Sequence, residues 1–248
     1  MKINNDIKNQ RFSFGSLPFR PVRGVKLFEE FKVPKSRFCP QDYFVRISHD
    51  DYVPHGVAIR VDNANYRTIG ESDLTIMPRK ILFNDNMDVF RESNRSQGAG
   101  TAMHLAGIMT MLENGLEKLD LFSLGKAVHF HSRFKFEPKI TDIRSLENHV
   151  EDNIMPHKGL GMVDDLVEKA EAWLNDTKTP PRKRKIEGNK LLNEYLQTVL
   201  RNRYYEFDEF KVPLGFNMEL TKKKIIENAN FFNKLLERYG IDYKIPVE

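Results

Sequence analysis

Residues 95–101 read Arg-Ser-Gln-Gly-Ala-Gly-Thr and stand directly before a strongly apolar segment. Glycine has no Cβ, so Gly98 and Gly100 let the backbone adopt left-handed angles and approach a ligand closely. The first amides of a helix have no partner within the helix, and the helix dipole is positive there. A basic residue and two close glycines at a helix start therefore predict a cradle for a phosphate or pyrophosphate group.

Regular elements are predicted on the carboxyl side of this loop. A helical pattern of apolar residues follows it and ends near Gly115: Leu105, Ile108, Met109, Leu112 and Leu116. Residues 119–124 form a short apolar run that Gly125 ends, which indicates an interior strand. A second helical face begins near Lys126, ends before Phe136 and Pro138, and consists of Ala127, Phe130, His131 and Phe134.

Two other phosphate-binding loops differ from this stretch in spacing. A dinucleotide-binding loop has a further glycine three residues after the second, and that position is Met103 here. A P-loop has Gly-Lys-Ser/Thr after a four-residue gap, whereas residues 98–101 contain no lysine. Neither type of loop therefore accounts for the sequence.

The remaining pattern is Arg-x-x-Gly-x-Gly followed, after one helix and one strand, by Ala-x-x-Phe-His-x-x-x-Lys-Phe. Over residues 88–138 the chain resembles the GNAT superfamily of N-acetyltransferases. In that family the first motif holds the pyrophosphate of acetyl-coenzyme A (acetyl-CoA), and Arg95, Gly98 and Gly100 match it. The second motif is matched by Ala127, Phe130 and Phe136.

Three positions depart from the family pattern. His131 stands where the family usually has tyrosine, and Lys135 stands where it usually has glycine. Leu124 occupies a position that is commonly a small polar residue, with Ser123 one place earlier. The resemblance is thus specific in order and spacing, and incomplete in residue identity.

The resemblance implies a fold, a co-substrate and a reaction. The implied fold is α/β (α+β), with a mixed central sheet, flanking helices and a mostly helical C-terminal extension. The co-substrate is acetyl-CoA, and the reaction is direct attack of an amine on its thioester. The implied coenzyme contacts are Val89, Phe90, Arg91, Arg95, Ser96, Gln97, Gly98, Ala99, Gly100, Thr101, Ser123 and Phe130.

Such a reaction requires an oxyanion donor, an acid and a base. The resemblance implies a backbone amide within residues 89–91 as the oxyanion donor. His131 takes the position of the acid that protonates the leaving thiolate, because an imidazolium titrates near neutral pH. For the base we prefer Asp88 over Asp85 and Glu92, because it is closest to the strand that leads into the loop.

Each of these residues also has a purely structural interpretation. Gly98 and Gly100 would then form only a strand-to-helix turn, although helix starts more often use Ser, Thr, Asp or Asn. His131 would be a hydrogen-bonded core histidine, and aromatic residues at helical spacing such as Phe130 usually mark a buried face. Charged residues such as Asp88 usually lie on a solvated surface.

The composition is typical of a soluble intracellular enzyme. The chain has 248 residues with 40% hydrophobic content, enough for one substantial core. The single cysteine excludes an internal disulfide, and the seven histidines show no metal-ligand spacing, so no metal is expected. Residues 1–10 are polar and no run reaches the length of a membrane span, so we expect a cytoplasmic protein without membrane contact. The net charge of +4 is small and mixed, so nucleic acid is not an expected partner.

We expect a GNAT-like domain over residues 1–140, with residues 1–20 disordered or at an edge. Strands are predicted at residues 43–47, 56–61, 74–77 and 80–83, and residues 25–31 are predicted as a short helix. Residues 141–248 are expected to form a helical extension that packs on the core, recognises the acceptor or forms a homodimer.

Three amphipathic patterns predict the helices of this extension, at residues 163–174, 192–199 and 225–239, the last with Thr221 as N-cap and Gly240 after its end. Residues 178–185 are predicted as an exposed basic linker, because paired prolines break a helix. Three alternative roles for these basic residues are binding to an acidic partner, binding to the 3′-phosphate of the coenzyme, and nuclear targeting.

The sequence leaves three functions open. The preferred one is an N-acetyltransferase for an unidentified amine acceptor, with a donor other than acetyl as a variant. The second is an acyl-CoA sensor or scaffold without catalysis, suggested by His131 in place of tyrosine. The third is a nucleic-acid-binding module centred on residues 182–185.

Overall fold

The computed structural model describes residues 20–22, 25–27, 30–50, 53, 55–90 and 97–247. The described residues form two compact units: the first contains those up to residue 119 and those from residue 221 onward, and the second contains residues 120–220. These boundaries differ from the predicted domains 1–140 and 141–248, because the last part of the chain belongs to the same unit as the N-terminal strands. Residues 1–19, predicted as disordered or at an edge, lie outside the described residues.

Consecutive antiparallel strands build the first unit. The described strands before the loop are β1 (Arg20–Val22), β2 (Val25–Leu27), β3 (Glu30–Val33), β4 (Tyr43–Asp50), β5 (Gly56–Asp62), β6 (Thr68–Met77) and β7 (Ile81–Val89). β1 pairs with β2, and each of the strands β3 to β6 pairs with the strand that follows it. The strands predicted from residues 43, 56, 74 and 80 onward are confirmed.

The helix predicted at residues 25–31 is wrong. The described residues of this stretch belong to strands β2 and β3. In β3, Phe31 and Val33 are buried while Glu30 and Lys32 are exposed. Burial with a period of two is the pattern of a strand, and pairing with β4 satisfies its backbone, so tertiary context overrides the short helical signal.

Helix α1 (Ala99–Glu113) follows the loop as predicted and packs against strands β4 to β7. Its residues from Ala102 to Met111 are all buried, as in a helix that is apolar on every side. Gly115, just beyond the helix, has φ 61, which only glycine adopts without cost.

The C-terminal segment of the first unit forms two short helices, α6 (Lys222–Glu227) and α7 (Ala229–Arg238), where one continuous pattern was predicted. The predicted N-cap is confirmed, because Thr221 Oγ1 accepts a hydrogen bond from the Lys224 amide at 3.1 Å. Gly240 follows α7 with φ 63, as its predicted position after the helix requires.

The second unit combines a few strands with helices. Its elements in chain order are β8 (Lys118–Ser123), a 3₁₀ turn (Gly125–Ala127), α2 (Val128–Arg133), β9 (Glu137–Pro138), α3 (Ile143–Ile154), α4 (Asp164–Asn175), α5 (Pro181–Arg201) and β10 (Phe216–Thr221). Strands β8, β10 and β9 lie side by side in that order. The predicted α/β class is confirmed, and the helices predicted at residues 163–174 and 192–199 are confirmed as α4 and as part of α5.

The basic residues 182–185 lie on a helix and not in a linker. Pro181 occupies the first turn of α5, where its missing N–H costs nothing and its fixed φ suits the helix. Arg184 is half-buried: it forms a 2.6 Å ion pair with Glu147, and its guanidinium lies over the Trp173 ring at 4.9 Å. At least this member of the cluster therefore holds helices of the second unit together.

Among the described residues, no helix is both long and apolar enough to cross a membrane.

Candidate functional site

The predicted phosphate cradle begins at a left-handed glycine. Gly98 has φ 87 and precedes the first residue of α1. Gly100 lies inside α1 and has no positive φ, so the prediction of left-handed angles holds for Gly98 and is wrong for Gly100. Helix α1 already begins at Ala99, so Gly100 is a helical residue and not part of the loop.

Protein atoms surround Gly98 closely. A Cβ at this position would lie 2.5 Å from the Phe38 carbonyl oxygen, 2.9 Å from Cys39 Sγ and 3.2 Å from Tyr239 Oη. The Tyr43 hydroxyl donates a 2.6 Å hydrogen bond to the Gln97 carbonyl just before it. Packing within the first unit is therefore sufficient to require glycine here, independently of any ligand.

The start of α1 also has basic neighbours that the sequence did not indicate. Phe38 stacks on Tyr239, with ring centroids 6.2 Å apart, and Tyr239 hydrogen-bonds the Thr101 side chain. The guanidinium carbons of Arg37 and Arg238 lie 4.7 Å and 5.7 Å from the centroid of the Phe38 ring. Two cations are thus held close to the helix end that favours anions.

At the end of β7, one of the predicted oxyanion donors already has a hydrogen-bond partner within the sheet. The Phe90 amide donates to the Ile69 carbonyl at 2.9 Å. Because amides alternate in direction along a strand, the Val89 amide points away from β6. Val89 therefore remains the candidate donor, while Arg91, Arg95 and Ser96 lie outside the described residues.

The candidate bases differ in their surroundings. Asp88 is exposed and lies opposite Glu71 on β6. Asp85 is the extra residue of a bulge in β7, and it accepts a 2.5 Å hydrogen bond from Thr75. Asp73 was not considered from the sequence, and burial together with the charges of Asp50 and Asp85 raises its pKa. A raised carboxyl pKa suits a general base, so Asp73 joins the candidates.

His131 is buried between aromatic rings. The rings of Phe130 and Phe136 lie edge-on to it, at centroid distances of 5.4 Å and 5.9 Å. Burial lowers the pKa of His131 to about 4. The premise that its imidazolium titrates near neutral pH is therefore wrong for this structure, because an apolar pocket favours the neutral ring.

A pocket of about 600 Å³ lies in the second unit, beside α2. Its lining includes the predicted coenzyme contact Phe130, together with Lys126, His129, Arg133, Tyr205 and Lys211. None of the ten described residues that line it carries a carboxylate. The pocket therefore suits an anionic ligand with a planar part.

The polar groups of this pocket are held in place by their neighbours. The Arg133 guanidinium stacks over the Tyr205 ring at 4.4 Å, which leaves its donors directed outward in their plane. His129 Nε2–H donates to the Phe210 carbonyl at 2.9 Å, and its buried Nδ1 has no hydrogen-bond partner among the described residues. Lys211 forms an ion pair with Asp208 at 2.5 Å.

The basic face of α2 could have been found from the sequence. Lys126, His129, Phe130 and Arg133 recur at the spacing i, i+3, i+4 and i+7, which places them along one helical face. The same segment also carries the apolar pattern from which the helix was predicted. Ser123 is fully buried and its hydroxyl donates to the Leu124 carbonyl at 3.1 Å, so its predicted coenzyme contact stays a prediction.

Among the described residues, no group of three or more His, Cys, Asp and Glu side chains is placed to hold a metal ion.

No family model matches the sequence, and no curated protein matches it. The solved structures that the chain resembles include an IAA acetyltransferase from Bacillus cereus, with 14% identity, 40% of this chain and 79% of that chain covered, and a TM-score of 0.34. A GNAT family acetyltransferase from Staphylococcus aureus is 22% identical, with coverages of 37% and 60% and a TM-score of 0.33. An acetyltransferase from Bacillus subtilis, solved in complex with CoA, is 12% identical, with coverages of 69% and 80% and a TM-score of 0.36.

Proposed function

We propose that this protein binds acetyl-CoA and transfers its acetyl group to an amine. The observation that carries the proposal is the basic pocket beside α2. It lies in the segment that resembles the second acetyltransferase motif, and Phe130, a coenzyme contact implied by the sequence, lines it. Sequence motif and pocket chemistry thus point to the same helix.

The side chains that line the pocket fit the chemistry of coenzyme A. Its phosphates are anionic and its adenine is planar, and the pocket offers the cations Lys126 and Arg133 beside the aromatic rings of Phe130 and Tyr205. Lys211 also lines the pocket, in its ion pair with Asp208. In the first unit, the amino end of α1 with Arg37 and Arg238 nearby is a further place for phosphate oxygens. Acetyl-CoA supplies an activated thioester, and the chain has to orient it and move protons.

In the reaction an amide bond forms between the amine nitrogen and the acyl carbon, and the carbon–sulfur bond breaks. The proton that the amine loses balances the proton that the thiolate gains. The Val89 amide is our candidate for holding the developing oxyanion, and Asp88 is our candidate base, because it lies at the end of the strand that leads into the loop. Asp73, whose pKa is raised, is the second candidate base. Because its pKa is lowered, His131 is neutral at rest, so in this role the ring would first take up a proton that balances the one the amine loses. A thiolate forming beside the ring favours this imidazolium, which then passes its proton to the sulfur.

A release assay for the free thiol tests the enzymatic proposal. Purified protein with acetyl-CoA is screened on polyamines, amino acids, aminoglycoside-type amines and a lysine peptide. We expect one class of amine to accelerate thiol release, and His131→Phe to lower the rate about a hundredfold, the lower part of the range for a general acid. His131→Phe that turns over at the wild-type rate would exclude His131 as the acid.

A second candidate function is acyl-CoA binding without turnover, which the low pKa of the buried His131 favours. It predicts that acetyl-CoA binds while no amine accelerates thiol release. Acceleration by any amine class in the wild type, lost in His131→Phe, would exclude it.

A further inference from the structure

One side of the pocket in the second unit has an apolar rim. Phe122, Leu124 and Leu214 are 55%, 57% and 54% exposed. Phe122 and Leu124 stand two residues apart at the end of β8, so their side chains point to the same side. Leu124 also lines the pocket, and in this chain it replaces the small polar residue that the acetyltransferase pattern commonly has there.

Two glycines, Gly125 and Gly215, allow the two segments that form the rim to approach each other closely. A Cβ on Gly215 would lie 2.3 Å from the Ser123 carbonyl oxygen and 3.1 Å from the Phe122 ring. A Cβ on Gly125 would lie 2.4 Å from the Val212 carbonyl oxygen. Residues 212–215 therefore run directly along residues 122–125. Leu124 and Pro213 of these two segments line the pocket, and Phe122 and Leu214 are the exposed apolar residues that accompany them.

The pocket and its rim together are amphipathic. Cations line the pocket, whereas exposed aliphatic and aromatic side chains continue from it at Leu124 and Pro213. Large apolar side chains that cluster in solvent beside a pocket mark a binding surface. A ligand that fits both parts has an anionic end and an apolar end.

We propose that the donor is an acyl-CoA with an aliphatic acyl group longer than acetyl, whose chain lies on the rim formed by Phe122, Leu124 and Leu214. This inference rests on the proposed function and specifies its donor. The coenzyme phosphates would bind the cations of α2, and the acyl chain would cover the exposed rim. The transfer step is unchanged. An amide bond forms, the thioester carbon–sulfur bond breaks, and the proton lost by the amine balances the proton gained by the thiolate.

Titration calorimetry with acetyl-, butanoyl- and octanoyl-CoA tests the proposal. Each buried methylene contributes to affinity, so partial cover by the rim predicts that octanoyl-CoA binds at least about tenfold more tightly than acetyl-CoA. Phe122→Ser and Leu214→Ser should remove this gain while acetyl-CoA binds as before. Leu160→Ser, which changes a side chain of similar exposure (50%) outside the segments 122–125 and 212–215, should keep this gain.

The outcomes separate this inference from the proposed function. Equal affinity for all three donors, or a gain that survives in both rim variants, overturns the inference and leaves acetyl transfer standing. Absence of binding to every acyl-CoA overturns the proposed function itself. Binding of wild type but not Phe122→Ser to phosphatidylcholine vesicles, without any effect of chain length, would assign the rim to a membrane surface and overturn the inference. Thermal unfolding of each variant shows that it is folded.

Discussion

Gly98→Ala is expected to lower the free energy of unfolding by about 3 kcal/mol. Two independent causes contribute to this loss of stability. A residue with a Cβ at φ 87 incurs backbone strain of about 1–2 kcal/mol. The new methyl group would also lie 2.5 Å from the Phe38 carbonyl oxygen, and overpacking of this kind costs about 1–3 kcal/mol.

Gly115→Ala is the matched control for this variant. Gly115 also has a positive φ of 61, but nothing lies within 4 Å of a Cβ placed there. Its substitution should therefore cost only the backbone strain, about 1 kcal/mol. Urea unfolding monitored by circular dichroism measures both. Equal losses in the two variants would show that residues 38–39 and Tyr239 do not pack on Gly98 as described.

Acid is expected to destabilise the protein more in the wild type than in a His131→Phe variant. Burial lowers the pKa of His131 from 6.5 to about 4 in the folded chain, whereas the unfolded chain titrates near 6.5. Between these values the unfolded chain binds more protons, so stability is fully present above pH 6.5 and is lost as the pH falls toward 4. The lost free energy is about 3 kcal/mol for this single group.

Three other histidines of the second unit should act in the same direction. Burial is the main cause that lowers the pKa of His129, His149 and His157. Carboxylates also titrate in acid, so the comparison of wild type with His131→Phe isolates one ring. Free energies of unfolding are measured in urea at several pH values across this window. Parallel pH profiles for the two proteins would show that His131 ionises freely in the folded state.

The elements that could be predicted from the sequence are those whose signals are local. The apolar pattern before Gly115 fixed helix α1, and a left-handed turn was expected at Gly98 because glycine alone adopts it without cost. The helix predicted at residues 25–31 was wrong for the opposite reason. Pairing of β3 with β4 decides the conformation of Phe31, and a short segment carries no signal of its distant partner.

Half of the candidate site could not be read from the sequence, because it is formed by contacts between distant residues. Phe38, Arg238 and Tyr239 meet around Gly98 although they lie far apart in the chain. The pKa of His131 depends on its burial, which no motif specifies. The basic face of α2, in contrast, was present in the spacing of Lys126 and Arg133 and was missed.

Calorimetric titration with acetyl-CoA tests whether coenzyme A binds the basic pocket beside α2. The variant Lys126→Glu/Arg133→Glu reverses two charges that line the pocket. The control Arg182→Glu/Lys183→Glu makes the same change of net charge on exposed residues of α5 that do not line it.

We predict that the wild type and the α5 control bind acetyl-CoA with equal Kd. The pocket variant should bind about a hundredfold more weakly, because each lost charge-assisted contact to phosphate contributes about 1.5–3 kcal/mol. A wild type that does not bind acetyl-CoA, or a pocket variant that binds as tightly as the α5 control, would contradict the claim.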